Sequence, residues 1–468
     1  MKGTDSKEKW LGRPLSALGV ILLVGALARL VLNLTLQGPM LWPDSEHYFH
    51  SASAIALNFD FTAHRAFHTP LYALFLAFLL VLGNWGSACG ELVLATQQLL
   101  GVASAVLVYL IARRSFGQRI AFVSGLLVAL DVTQLFYEAT LLTETLYTFI
   151  LLLIIYVLTA QDAVRGLRLA ALSGLLCALL TLTRPVAQFY FIIPALFLVI
   201  REAPLSRKVL SFLLVVGVCW MVLLPWCLQN RAYHGFFGVS KGAGINLFLR
   251  AVQMDNLPYT GSNGRATEAY EYFKSRAPLG NRAYFDVYHN LTKSMHSESR
   301  ADKLMLHIAA SAIARQPAPY VAHVLRDLCL FFLAPEPGPR YCDESPQGQI
   351  ICVAPGRGLS HAPFPNHSVP RRSRLKEAVV YFSQWAMLPM GLLSLLAFGA
   401  IGAALLTGGG PRLVVALFGG TMLYHALLVA LFNVPEDRYR LPLNGLIIIL
   451  AFEFCRRIWC AARVRNRN

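Results

Sequence analysis

The stretch LSALGVILLVGALARLVLNLTL, Leu15 to Leu36, decides the architecture. A helix needs about 20 mostly apolar residues to cross a bilayer, and this run supplies them. Directly afterwards the chain turns polar. LWPDSEHYFHSA, Leu41 to Ala52, presents an Asp, a Glu and two His. Ala26-Leu27-Ala28 has the small-residue pattern of a signal-peptidase site. The apolar run continues past it, so the expectation is an uncleaved first spanning helix.

Runs of this kind recur. Of the 468 residues, 56% are hydrophobic and 14% charged, against about 25% charged in soluble globular chains. The expected class is an all-α polytopic membrane protein. The net charge of +16 fits basic cytoplasmic loops and adds a basic site for an anionic ligand. No basic run is long enough for nucleic acid, and membrane lipids are the expected surroundings.

Ten spans are read, near 15–37, 90–112, 119–136, 143–160, 169–183, 186–200, 209–227, 378–406, 412–432 and 441–459. With that number, the short segments holding Arg113/Arg114, Arg165/Arg168, Arg207/Lys208, Arg412 and Arg456/Arg457 fall on one side with both termini. That side is the cytoplasm by the positive-inside rule. The apolar segment Pro70–Leu82 is too short to cross and reads as an interfacial helix in the first outer loop, 38–89. Residues 1–227 then form an N-terminal transmembrane catalytic module and 378–468 the C-terminal helices. Between them, 228–377 is a large polar segment with 18 Lys/Arg against 11 Asp/Glu. Its length lets it translocate regardless of charge, so it is placed outside. Helices are expected in it near 266–276 and 301–334.

This topology collects polar span ends on the outer face of a plasma or inner membrane. They include Asp44, Glu46 and His47; Arg65 and His68; Glu138 and Glu144; Arg184; Asn230 and Arg231; and Glu436 to Arg440. Ionisable groups at membrane depth are costly and tend to face a cavity or a partner. Cations that hold a phosphate, beside a carboxylate that handles a proton, suit chemistry on a phosphate-bearing lipid. Each residue also has a plainer reading. Asp44 is placed to cap a helix, Glu144 to complement a helix dipole, and Arg184 to snorkel at a helix break. The RYRLP run reads as an interface anchor as readily.

The motifs come in a definite order: PDSxxY (Pro43–Tyr48), HTPLY (His68–Tyr72), LLTETLY (Leu141–Tyr147), LTRP (Leu182–Pro185), PWxxQNR (Pro225–Arg231) and EDRYRLP (Glu436–Pro442). Together they resemble the GT-C glycosyltransferases, in the branch of the protein O-mannosyltransferases and lipid A aminoarabinose transferases. The resemblance implies a polyprenyl-phosphate sugar donor, a lipid, glycan or protein acceptor, and catalysis on the extracytoplasmic face. It implies Asp44 as the catalytic base and Glu144 as the second acidic position. Glu46, Tyr48, Arg65, His68, Tyr72, Arg184, Asn230, Arg231, Arg438 and Tyr439 are the expected substrate-binding residues. The family's basic residue before the interfacial Pro is here His68, with Arg65 three residues earlier.

The mechanism expected is one inverting displacement, with cations stabilising the departing phosphate. A monophosphate leaving group held by Arg and His needs no metal, although the paired acidic residues leave a divalent cation open. The rival reading is a transporter or flippase of an anionic lipid, which predicts inverted repeats with broken helices; the sequence has none. Cys342 and Cys352 enclose nine residues of the outer segment, and an oxidising compartment permits a disulfide there.

Overall fold

The computed structural model describes residues 14–34, 39, 43–62, 67–84, 89–160, 166–201, 204–277, 283–335, 343–344, 350–351, 387–407 and 411–465. Arg65, Cys342 and Cys352 lie outside them, and so does the expected disulfide.

The described residues are helical, apart from connecting turns and, among them, one two-residue antiparallel pairing of Asp343–Glu344 with Ile350–Ile351. The first half runs α1 (Pro14–Asn33), α2 (Pro43–Asn58), α3 (Pro70–Leu82), α4 (Cys89–Phe116), α5 (Gln118–Ala129) and α6 (Val132–Glu138). Then come α7 (Glu144–Leu158), α8 (Gly166–Thr183), α9 (Ile192–Arg201) and α10 (Leu205–His234). The polar segment folds as α11 (Ala243–Phe248), α12 (Gly264–Arg276), α13 (Ala283–Met295), α14 (Glu298–Arg315) and α15 (Pro317–Leu333). The last helices are α16 (Met387–Thr407), α17 (Arg412–Phe432), the short α18 (Asp437–Arg440) and α19 (Asn444–Arg465).

Local chemistry sets these boundaries. Pro70 opens α3 after an extended Thr69, where its missing N–H costs nothing. α10 continues past Pro225 and beyond the expected end at 227; it stops at Gly235, whose φ of 69° is a left-handed cap. The helix expected over 301–334 is two helices. The break falls at Gln316 (φ −132°, ψ 61°), because Pro317 disfavours a helical residue before it.

The ten expected spans are met only in part: 119–136 is divided between α5 and α6, and 186–200 begins in a 3-10 turn, Pro185–Ala187, before the short α9. Among the described residues, six helices are long and apolar enough to cross a membrane, or seven if the pair α5–α6, bent by 48°, is one span. α7 and the Pro185–Arg201 stretch are apolar but shorter.

The spans share one apolar core, contributed by α1, α4, α5, α7 to α10, α15 to α17 and α19. α8 and α10 approach so closely that a Cβ at Gly174 would lie 2.6 Å from the Val215 carbonyl oxygen. A second core joins α11 to α15 and rests on Ala430 at the end of α17. A third unites α2 and α3 with Cys89, Val93, Tyr137, Leu141, Leu142 and Leu441. The third core seats the first-loop helices against the starts of α7 and α19. Burial at about 25 cal/mol per Å² of apolar surface therefore ties the polar span ends to one end of the bundle.

Candidate active site

Four separate chain segments meet at this end. α2 carries Asp44 and Glu46 in its first turn. Acidic groups there favour the helix dipole, and Asp44 lies inside the helix rather than at its cap. Asp44 is half-buried, Glu46 exposed and Tyr48 buried. The Tyr48 ring lies 4.8 Å from His68 and 5.0 Å from Tyr72. Tyr72 is fully buried and donates from its hydroxyl to Gln97 Oε1 at 2.8 Å. The Gln97 amide in turn binds the Glu138 and Thr140 carbonyls. Tyr72 is thus built into the wall between the first loop and α4.

Glu144 opens α7 and is 1% exposed. It pairs with Arg184 at 2.9 Å. Arg184 stands in extended conformation between the end of α8 and Pro185. Its guanidinium lies 5.8 Å from the Tyr147 ring centre and 5.3 Å from that of Tyr439. The fourth segment, Glu436–Arg440, brings Arg438, which pairs with Glu436 at 2.6 Å and donates to the Tyr439 hydroxyl at 2.9 Å.

The sequence around Arg438 divides its labour. Asp437 and Arg440 are buried; Asp437 accepts from Tyr137 at 3.1 Å, and Arg440 donates to the Phe332 carbonyl at 3.2 Å. These two bonds anchor the turn. Arg438 and Tyr439 are left for the cluster.

The electrostatics knit the segments together. Burial raises the Tyr48 hydroxyl above its ordinary range, and Asp44 adds to the shift. Burial works against charge on Arg438; Glu436, Tyr439, Glu144 and Asp44 offset it, so its pKa stands above the ordinary value. Arg438 and Arg184 each have a carboxylate partner. Asp44 has no ion-pair partner among the described residues, although it feels Arg438 and Tyr48. A carboxylate uncommitted to an ion pair, beside two fixed cations, can accept a proton while the cations hold an anion.

Of the expected site residues, Asp44, Tyr48, His68, Tyr72, Glu144, Arg184, Arg438 and Tyr439 come together. Asn230 does other work. It is buried and donates to the Gly238 and Val239 carbonyls at 2.8 and 3.2 Å, folding the chain back after α10. Arg231 is exposed beside it.

Three buried polar groupings were not foreseen. Arg29, inside α1, binds Glu138 at 2.6 Å and the Ala129 carbonyl at 2.9 Å. Tyr147 shares a 2.7 Å hydrogen bond with His425 of α17. In the polar segment Arg250 pairs with Asp327 and, at 3.3 Å, with Asp255, which also meets His323 at 3.0 Å. The first had a signal: an Arg within an apolar run needs a partner at depth.

The model of the dolichyl-phosphate-mannose-protein mannosyltransferase family matches residues 67–228, which include His68, Tyr72, Glu144 and Arg184. No curated protein sequence matches the chain. Among solved structures, the chain is similar to the oligosaccharyltransferase AglB from Archaeoglobus fulgidus in complex with an inhibitory peptide and a dolichol-phosphate. The identity is 13% over 99% of this chain and 52% of that one, with a TM-score of 0.51. It therefore spans about half the length of that enzyme. ArnT from Cupriavidus metallidurans bound to undecaprenyl phosphate aligns at 14% identity over 94% of this chain and 78% of that one, with a TM-score of 0.38. The mannosyltransferase family pattern thus covers residues 67–228, about a third of the chain, and the fold is similar to that of the archaeal oligosaccharyltransferase.

Proposed function

We propose that the protein transfers a sugar from a polyprenyl-phosphate donor to an acceptor hydroxyl on the extracytoplasmic face. The observation that carries this reading is the cluster itself: Asp44 without an ion-pair partner among the described residues, beside the paired cations Arg184 and Arg438. The dolichol-phosphate held by the archaeal relative supports the class of donor.

Asp44 takes the proton of the acceptor hydroxyl as that oxygen attacks the anomeric carbon. The bond from that carbon to the phosphate oxygen breaks, the configuration inverts, and polyprenyl phosphate leaves with the bonding pair. Its charge grows as the bond breaks, so Arg184 and Arg438 stabilise the transition state more than the ground state. Glu144 fixes Arg184 in place. His68, against Tyr48, serves the position where the family carries a basic residue. With two guanidinium groups meeting the phosphate, the step needs no metal, and chelation of divalent cations leaves turnover unchanged.

The test uses purified protein in lipid, a panel of polyprenyl-phosphate sugars and a membrane extract as acceptor. Release of free polyprenyl phosphate with an inverted product supports the proposal. Donor binding with no consumption by the wild type contradicts it and favours lipid transport.

A further inference from the structure

A cavity of about 610 Å³ opens between α12 and α13 in the polar segment. Its wall includes Arg265, Glu268 and Tyr272 from α12, Asn290 from α13, His296 from the turn into α14, and Arg300 from the first turn of α14. Small and apolar side chains with the Ser294 hydroxyl form the remainder of the lining. The volume lies within the 300–1,000 Å³ of small-molecule sites.

The lining has a definite chemistry. Arg265 and Arg300 are exposed, and among the described residues neither has an ion pair. One carboxylate, Glu268, accompanies them, so the cavity is net positive. Tyr272 offers an aromatic face, with the Arg276 guanidinium 5.3 Å from its ring centre. Asn290 supplies an amide that both donates and accepts. His296 holds a left-handed backbone at φ 48°. Such a conformation is uncommon outside glycine and costs free energy; here it turns the chain from α13 into the Ser297-capped α14 with His296 on the cavity wall.

An aromatic face and an amide are what a sugar ring with its hydroxyls requires. Two unpaired guanidinium groups are what a phosphate requires. The cavity is also linked to the cluster described above. Tyr288, on α13, lies 5.0 Å from Phe67, and Phe67 precedes His68, whose ring contacts Tyr48.

We propose that this cavity binds a phosphorylated saccharide, and that it is where the acceptor is held. Only the acceptor role rests on the transferase reading; binding itself does not. The sugar phosphate comes either from a soluble glycan or from the head of a glycolipid, and both present the same chemistry to the cavity.

The experiment titrates full-length protein in detergent with glucose 6-phosphate, glucose and inorganic phosphate separately. It follows saturation-transfer NMR signals and repeats the titration in the presence of phosphatidylglycerol vesicles. Glucose 6-phosphate should bind saturably, and glucose and phosphate each at least about tenfold more weakly, since each meets one half of the site. R265A/R300A should weaken glucose 6-phosphate binding about tenfold or more, with the melting temperature unchanged because both side chains are exposed. Y272L should weaken it while leaving phosphate binding alone. D44N should bind as the wild type does, which separates this proposal from the fate of the catalytic one. Three results would overturn it: binding unaffected by R265A/R300A, phosphate binding as tightly as the sugar phosphate, or displacement of glucose 6-phosphate by sugar-free anionic vesicles.

Discussion

Arg184 shows how much geometry one residue carries. It pairs with Glu144 and lies between the rings of Tyr147 and Tyr439. A planar fork serves this position better than a point charge. Arg184→Lys keeps the charge and should lower kcat by about 10²-fold while changing the donor KM far less, because the lost contacts matter most as phosphate charge develops. Steady-state kinetics with a fixed donor checks this; a change in KM alone would place Arg184 in ground-state binding. Asp44, Glu144, Arg184, Arg438 and Tyr439 were legible in the sequence because each stands at the polar end of an apolar run. The division within EDRYRLP was not. Nothing in those letters says that Asp437 and Arg440 turn inward to Tyr137 and Phe332 while Arg438 faces the cluster.

At the level of elements, α1, α4 and α6 are joined by polar as well as apolar contacts. Arg29 reaches Glu138, and Gly101 of α4 leaves the space in which that carboxylate sits; an added Cβ would overlap it. Removing one partner leaves a buried charge uncompensated. Arg29→Met should therefore cost about 3–5 kcal/mol, and Glu138→Gln in the same chain should recover much of it. Thermal melting in detergent of the two single variants and the double variant measures the coupling. The six long apolar helices were legible, because runs of 18 or more such residues leave few alternatives. The partnership of residues 109 apart was not, since one sequence carries no record of which buried groups meet. The break at Gln316 was not legible, because the apolar periodicity continues through Pro317.

For the whole molecule, the claim is one of sidedness. The positive-inside rule, applied to the basic clusters, predicts both termini in the cytoplasm and the Asp44 cluster on the opposite face. An impermeant thiol reagent applied to intact cells tests this directly. A cysteine placed at exposed Glu46 should be labelled, whereas the exposed native Cys460 near the end of α19 should react only after permeabilisation. Labelling of both in intact cells would contradict the topology. The overall class was legible from composition alone, and the fold from the order of motifs along the chain. The packing of the polar segment against α17 was not, because its core is assembled from short helices that no single run announces. The central claim is that the cluster at this face transfers sugar with Asp44 as base, and the most direct test compares wild type with Asp44→Asn in lipid. The substitution preserves size and removes the base. Equal donor binding by both forms, with turnover falling by about 10²–10⁴-fold in the variant, is the predicted result; normal turnover by Asp44→Asn would contradict it.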